Sequence, residues 1–135
     1  MMMRLWLLLL LCGAPAAQAV SGSWAADALG ATLSHGGISA QSSALRPPNA
    51  LPDDRARIVS VSWRYLLTSP PPAGLQVQLC MPGRCVALAG ASGTTQAFAG
   101  APAASELRFG YVVQTRGALF PPLRVLSNQV IVNYQ

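Results

Sequence analysis

The sequence predicts an all-β fold: an antiparallel β-sandwich of about seven or eight short strands, with a small β-barrel as the runner-up. Three observations carry this. Apolar residues alternate with polar ones at Val59, Val61, Trp63, Tyr65 and Leu67, and again at Leu107, Phe109, Tyr111 and Val113, the period of a strand with one buried face. Beyond the leading segment, no window of eleven or more residues holds a convincing helical period, and prolines or glycines interrupt almost every candidate. Turn signals then recur at the short spacing of two packed antiparallel sheets.

The leading segment has to be set aside before the elements are taken in order. Arg4 supplies a basic start, residues 5–11 are apolar, and Ala17-Gln18-Ala19 gives the small-x-small pattern of a signal-peptide cleavage site. The apolar run is far short of the ~20 residues that span a bilayer, so residues 1–19 read as a cleaved signal peptide and no stable membrane anchor is expected. Leu11 stands where a lipobox places a small residue before its cysteine, which argues against lipidation of Cys12. Residues 20–135 then form a single exported domain, and the periplasm is the expected location.

Residues 20–31 are rich in glycine, serine and alanine around Trp24 and read as a lead-in with Trp24 as a core anchor. Residues 31–34 and 38–43 are weak strands joined at Gly36-Gly37. Residues 44–55 carry Pro47, Pro48 and Pro52 and read as a loop. The strand ending at Leu67 is stopped by Pro70-Pro71-Pro72, after which Leu75, Val77 and Leu79 form the apolar side of a hairpin. Residues 89–95 read as a small-residue turn. After the strand through Val113, Thr115-Arg116-Gly117 turns the chain into Leu119 and Phe120, and Pro121-Pro122 is expected to break it. Residues 123–126 and 129–134 close the chain as two β segments, with Val130 and Val132 on one face.

Cys80 and Cys85 are the two cysteines beyond the leader, and in an exported chain they read as a disulfide. Met81-Pro82-Gly83-Arg84 lies between them, with proline and glycine where a type II turn needs a fixed φ and a positive φ. A symmetric turn pairs residues whose numbers sum to 165. Cys80 then faces Cys85, Leu79 faces Val86 and Val77 faces Leu88, so one register aligns both the sulfurs and the apolar face. Four intervening residues and a single histidine do not suit a redox motif or a zinc site.

All nine basic residues are arginine; without Arg4, eight remain against Asp27, Asp53, Asp54 and Glu106. So sparse a basic balance suits a solvated surface near anionic cell-wall and membrane components, and no nucleic-acid partner is expected. His35 in a glycine-flanked turn is the only imidazole, without a nucleophile elbow to serve. Asp53 and Asp54 in a proline-rich loop are better explained by solvation than as a glycosidase pair with Glu106. No glycine loop precedes a helix to cradle phosphate. The chain is therefore expected to be no enzyme, with no catalytic residue and no cofactor or metal. Arg55, Arg57 and Arg64 could form a basic stripe for a partner or ligand. Trp63 and Tyr65 are assigned to the core ahead of a sugar-stacking platform.

Several stretches carry a family likeness: Ser62-Trp63-Arg64-Tyr65, the run from Pro72 to Cys80, Arg84-Cys85-Val86, Ser92-Gly93-Thr94-Thr95, Leu107-Arg108-Phe109, and the terminal Ser127-Asn128-Gln129-Val130-Ile131-Val132-Asn133-Tyr134. On these the chain resembles the FlhE family of periplasmic flagellar proteins. The resemblance implies a β-sandwich and a non-enzymatic accessory factor of the flagellar system, concerned with assembly, swarming and limiting proton leak through the flagellar export apparatus. Basal-body or export-apparatus proteins are the partners it implies, with a chaperone-like contact as one form. The alternative is a peptidoglycan-binding module, on fold-level analogy.

Overall fold

The computed structural model describes residues 21–135, and the signal-peptide reading of residues 1–19, with Cys12, lies outside them. Nine strands are found among the described residues. The larger sheet runs β1 (Gly22–Ala28), β9 (Ala118–Tyr134), β4 (Ile58–Leu67), β7 (Ser92–Thr95), with β2 (Thr32–His35) beside the early part of β9. The smaller sheet runs β3 (Ala40–Gln41), β8 (Arg108–Val113), β5 (Leu75–Met81), β6 (Arg84–Ala87). All pairings are antiparallel, and both sheets keep open edges, so the runner-up barrel does not form.

The alternating residues make the core. Val61, Trp63 and Tyr65 of β4 and Val130 and Val132 of β9 are buried from one sheet, and Val77, Leu79, Phe109, Tyr111 and Val113 from the other. Tyr65 meets the second sheet edge-on, 5.6 Å from Tyr111 and 6.3 Å from Phe109 between ring centroids. Such pairs contribute about 0.5–1.5 kcal/mol beyond the area they bury. Behind them Asn128 is fully buried. Its Oδ1 accepts from the Tyr111 hydroxyl, and its Nδ2 donates to the Ala28 and Gly30 carbonyls. One amide thus ties β9 to the end of β1 and to the opposite sheet, and desolvation there pushes the Tyr111 hydroxyl well above the ordinary tyrosine pKa.

The hairpin register is the expected one. Cys80 pairs Cys85, Leu79 pairs Val86, the Leu88 amide donates to the Val77 carbonyl at 2.9 Å, and Gly83 takes φ +79° at the third turn position. Cys80 and Cys85 are joined as a disulfide.

Four local expectations need correction. The lead-in of residues 20–31 contains β1, which pairs with β9 along its whole length, so pairing partners override the low strand propensity of its glycine, serine and alanines. The small-residue turn of residues 89–95 contains β7, with Gly93 directly opposite Trp63. A Cβ on Gly93 would lie 2.6 Å from the Trp63 ring, so the missing side chain is what seats the indole. Val59 is exposed and Ile58 buried instead, because a register shift between Ile58 and Ser60 moves Val59 to the outer face. Ile131 faces outward as well, on the side of its strand opposite Val130 and Val132, as their alternation implies. Finally, Pro121-Pro122 does not break the last strand. β9 begins at Ala118 and continues past them, and where three residues of β2 (Leu33 to His35) span six of β9 (Ala118 to Leu123), the prolines sit in a bulge that requires no amide from them.

Candidate functional site

The two ends of the sandwich are built differently. At one end the loops fold back over the core. Phe98, Leu45 and Leu107 are fully buried there, Leu45 and Leu107 exchange backbone hydrogen bonds of 2.7 and 3.0 Å, and the Trp24 indole donates to the Ala103 carbonyl at 2.7 Å. Three ion pairs lie at this end. Glu106 accepts from Arg46 at 2.7 Å and from Arg108 at 2.9 Å, and these two bonds hold its carboxyl below the usual glutamate range. Asp53 accepts from the Arg55 amide at 2.8 Å and from its guanidinium at 3.3 Å, which lowers its pKa in the same way.

The opposite end is open. It is formed by residues 68–74 after β4, the turn from β8 into β9, and the bulge of residues 119–122. Its backbone is fixed: Thr68 donates to the Arg124 carbonyl at 3.0 Å, Gln114 to Gly74 at 2.8 Å, and Gly36 to Gly117 at 2.8 Å. Five prolines, Pro70, Pro71, Pro72, Pro121 and Pro122, restrict φ further. Yet its largest apolar side chain is left out of the core. Phe120 is 89% exposed, the most exposed large hydrophobic of the described residues and their one exposed aromatic. Beside it Ser69, Pro70, Pro72, Leu119, Pro121 and Leu123 line a groove of about 230 Å³. That suits one inserted side chain better than a small-molecule ligand, whose pockets run from about 300 Å³.

The arginines singled out from the sequence are not gathered into one place. Arg55 pairs with Asp53 at the closed end; Arg57 sits there too, its backbone exchanging 2.9 Å hydrogen bonds with Gln135. Arg64 projects from mid-sheet between Ser92 and Gln129, seven residues along the strand and so ~23 Å from Arg57. The Cys80–Cys85 disulfide lies on the outer face of the smaller sheet beside Gln78 and Gly110. His35 pairs with Ala118 in the ladder, and Trp63 and Tyr65 are buried. Among the described residues no three His, Cys, Asp or Glu side chains come together as a metal site, and no helix is long and apolar enough to cross a membrane. Sequence reasoning missed Phe120, treating its flanking prolines only as a break. The available signal was an aromatic followed directly by two prolines, with no alternating apolar partner to place it in a core.

The family model for the flagellar protein FlhE matches residues 30–135. The chain belongs to the FlhE family. Flagellar protein FlhE of Yersinia enterocolitica is 50% identical over 115 residues, covering 85% of this chain and 82% of that protein. FlhE of Salmonella typhimurium is 47% identical over 133 residues, covering 98% of this chain and all of its own length, and that of Escherichia coli K12 is 45% identical over 136 residues. A crystal structure of FLHE superposes with a TM-score of 0.81 at 47% identity, over 87% of this chain and 99% of that one. Membership in FlhE makes this a protein of the flagellar system, and its relatives carry the name of a flagellar protein and not of an enzyme.

Proposed function

We propose that this chain is exported to the periplasm after removal of residues 1–19 and acts there as a non-catalytic accessory factor of the flagellum. In this reading it docks a basal-body or export-apparatus protein against the open end of its sandwich. Such a contact serves assembly and swarming, and it provides a physical means of limiting proton leak by covering or steadying a component of the export apparatus. The observation that carries the reading is Phe120, held almost fully in water on a proline-fixed backbone. Folding gains nothing from an apolar side chain left there, whereas burying it against a partner contributes about 1.5–3 kcal/mol, and aromatic anchors of this kind dominate protein interfaces. Arg55, Arg57 and Arg64 are left to solvation.

A wall-carbohydrate module would want aromatic rings on an open sheet face, and Trp63 and Tyr65 point inward. The test is retention of the purified mature protein on flagellar basal bodies and, separately, on peptidoglycan. Retention on basal bodies that falls at least about tenfold for Phe120→Ser is the expected result. Retention on peptidoglycan alone overturns the reading.

A further inference from the structure

Charge is distributed unevenly around the open end. Arg116 stands four residues before Phe120 and Arg124 four residues after it, both exposed, and neither forms an ion pair with a described residue. All four acidic side chains of the chain lie elsewhere. Asp53, Asp54 and Glu106 belong to the closed end, and Asp27 sits on β1 opposite Gln129. Three arginines of the closed end contrast with these two: Arg46, Arg55 and Arg108 are each bound to a carboxylate, although Arg57 there is not. The open end is thus an apolar groove of one side chain's volume beside an exposed aromatic ring, with an unneutralised cation on each side of it in sequence.

Resting on the docking role proposed above, we infer that the occupant is an extended protein segment with one large apolar side chain flanked by aspartate or glutamate. The apolar side chain enters the groove between residues 69–72 and 119–123 and packs on Phe120. Its acidic neighbours meet Arg116 and Arg124. Guanidinium groups donate two parallel hydrogen bonds to a carboxylate, so such pairs supply orientation as well as attraction. The alternative anionic partner, a lipid surface, is disfavoured by shape. Membrane-inserting surfaces present a broad apolar face, whereas this end offers one projecting ring beside a concave groove.

Three fluorescent, end-capped decapeptides test this with the mature protein: a central leucine flanked by glutamates, by lysines, or by serines, read by anisotropy at low and high salt. The glutamate peptide is expected to bind at least about tenfold more tightly than the lysine peptide, with the difference shrinking in about 1 M salt. Arg116→Glu/Arg124→Glu should reverse that order, and Phe120→Ser should abolish binding, both with unchanged thermal melting. If the double variant fails to fold, Arg124→Gln alone should narrow the difference. Equal binding of the three peptides, binding by none, or binding that survives Phe120→Ser overturns the inference. So does Phe120-dependent sedimentation with phosphatidylglycerol vesicles, or a Phe120-dependent dimer in ultracentrifugation. Swarming separates the two levels: lost swarming in Phe120→Ser without a charge preference sinks the partner chemistry alone, and normal swarming sinks the docking role beneath it.

Discussion

The closed and open ends of the sandwich spend their apolar residues in opposite ways. At the closed end Phe98 is 0% exposed, under loops that return hydrogen bonds to Ile58 and Ala56; at the open end Phe120 is 89% exposed although the backbone around it is equally well bonded. The ion pairs divide similarly: Arg46, Arg55 and Arg108 each meet a carboxylate at the closed end, whereas Arg116 and Arg124 meet none among the described residues. The difference separates a side chain that folding uses from one that it does not. One phenylalanine at an end of the sandwich is buried under a loop and the other is left in water, and that exposed ring is what the proposed docking contact rests on.

The comparison can be broken most severely by removing what both ends share. Strand β9 lies between β1 and β4, and its Val130, Val132 and Asn128 are fully buried. Truncation before Ser127 is expected to abolish the cooperative melt and leave a protease-sensitive chain; a retained circular-dichroism transition would contradict that. Phe98→Ala comes next. It should destabilise the domain by about 3–5 kcal/mol through the cavity it leaves, measured by urea unfolding. A loss under about 1 kcal/mol would mean that the closed end is not closed in solution.

The inner node sharpens the picture through pH. Tyr111 and Tyr65 are both raised above the ordinary tyrosine pKa by desolvation, so the folded state favours their neutral form. Their contribution is fully present below about pH 10, the unfolded tyrosine value, and is lost as pH rises above it. Unfolding free energy followed from pH 8 to 12 should fall above about pH 10, and less steeply in Tyr111→Phe. Smaller still is the disulfide. Its loop between Cys80 and Cys85 is short, so Cys80→Ala should cost about 2 kcal/mol without unfolding the domain. Free thiols found by alkylation of the unreduced protein would remove the basis for that expectation.

Much of the closed, structural part of the molecule was legible in the sequence, because burial writes a period into it. The alternation at Val61, Trp63 and Tyr65 and at Leu107, Phe109, Tyr111 and Val113 follows from two-sided strands, and the hairpin register follows from turn chemistry and the cysteines. What was not legible depends on neighbours distant in sequence. β1 and β7 are strands because β9 and β4 pair with them, although their own residues favour turns. The bulge that carries Pro121 and Pro122 through β9 is likewise set by its pairing with β2. Phe120 was hidden for a related reason: a side chain left out of the core has no periodic signature within its own chain.

The most direct measurement compares two single variants, Phe120→Ser at the open end and Phe98→Ala at the closed end, each scored for thermal melting of the purified protein and for swarming of the strain that carries it. Phe120→Ser should melt within about 3 °C of the parent protein and abolish swarming, since an exposed side chain contributes little to folding. Phe98→Ala should melt far lower, with any swarming defect following its loss of folded protein. A Phe120→Ser protein that melts as low as Phe98→Ala, or that melts normally and swarms normally, would contradict the division of the sandwich into a structural end and a binding end.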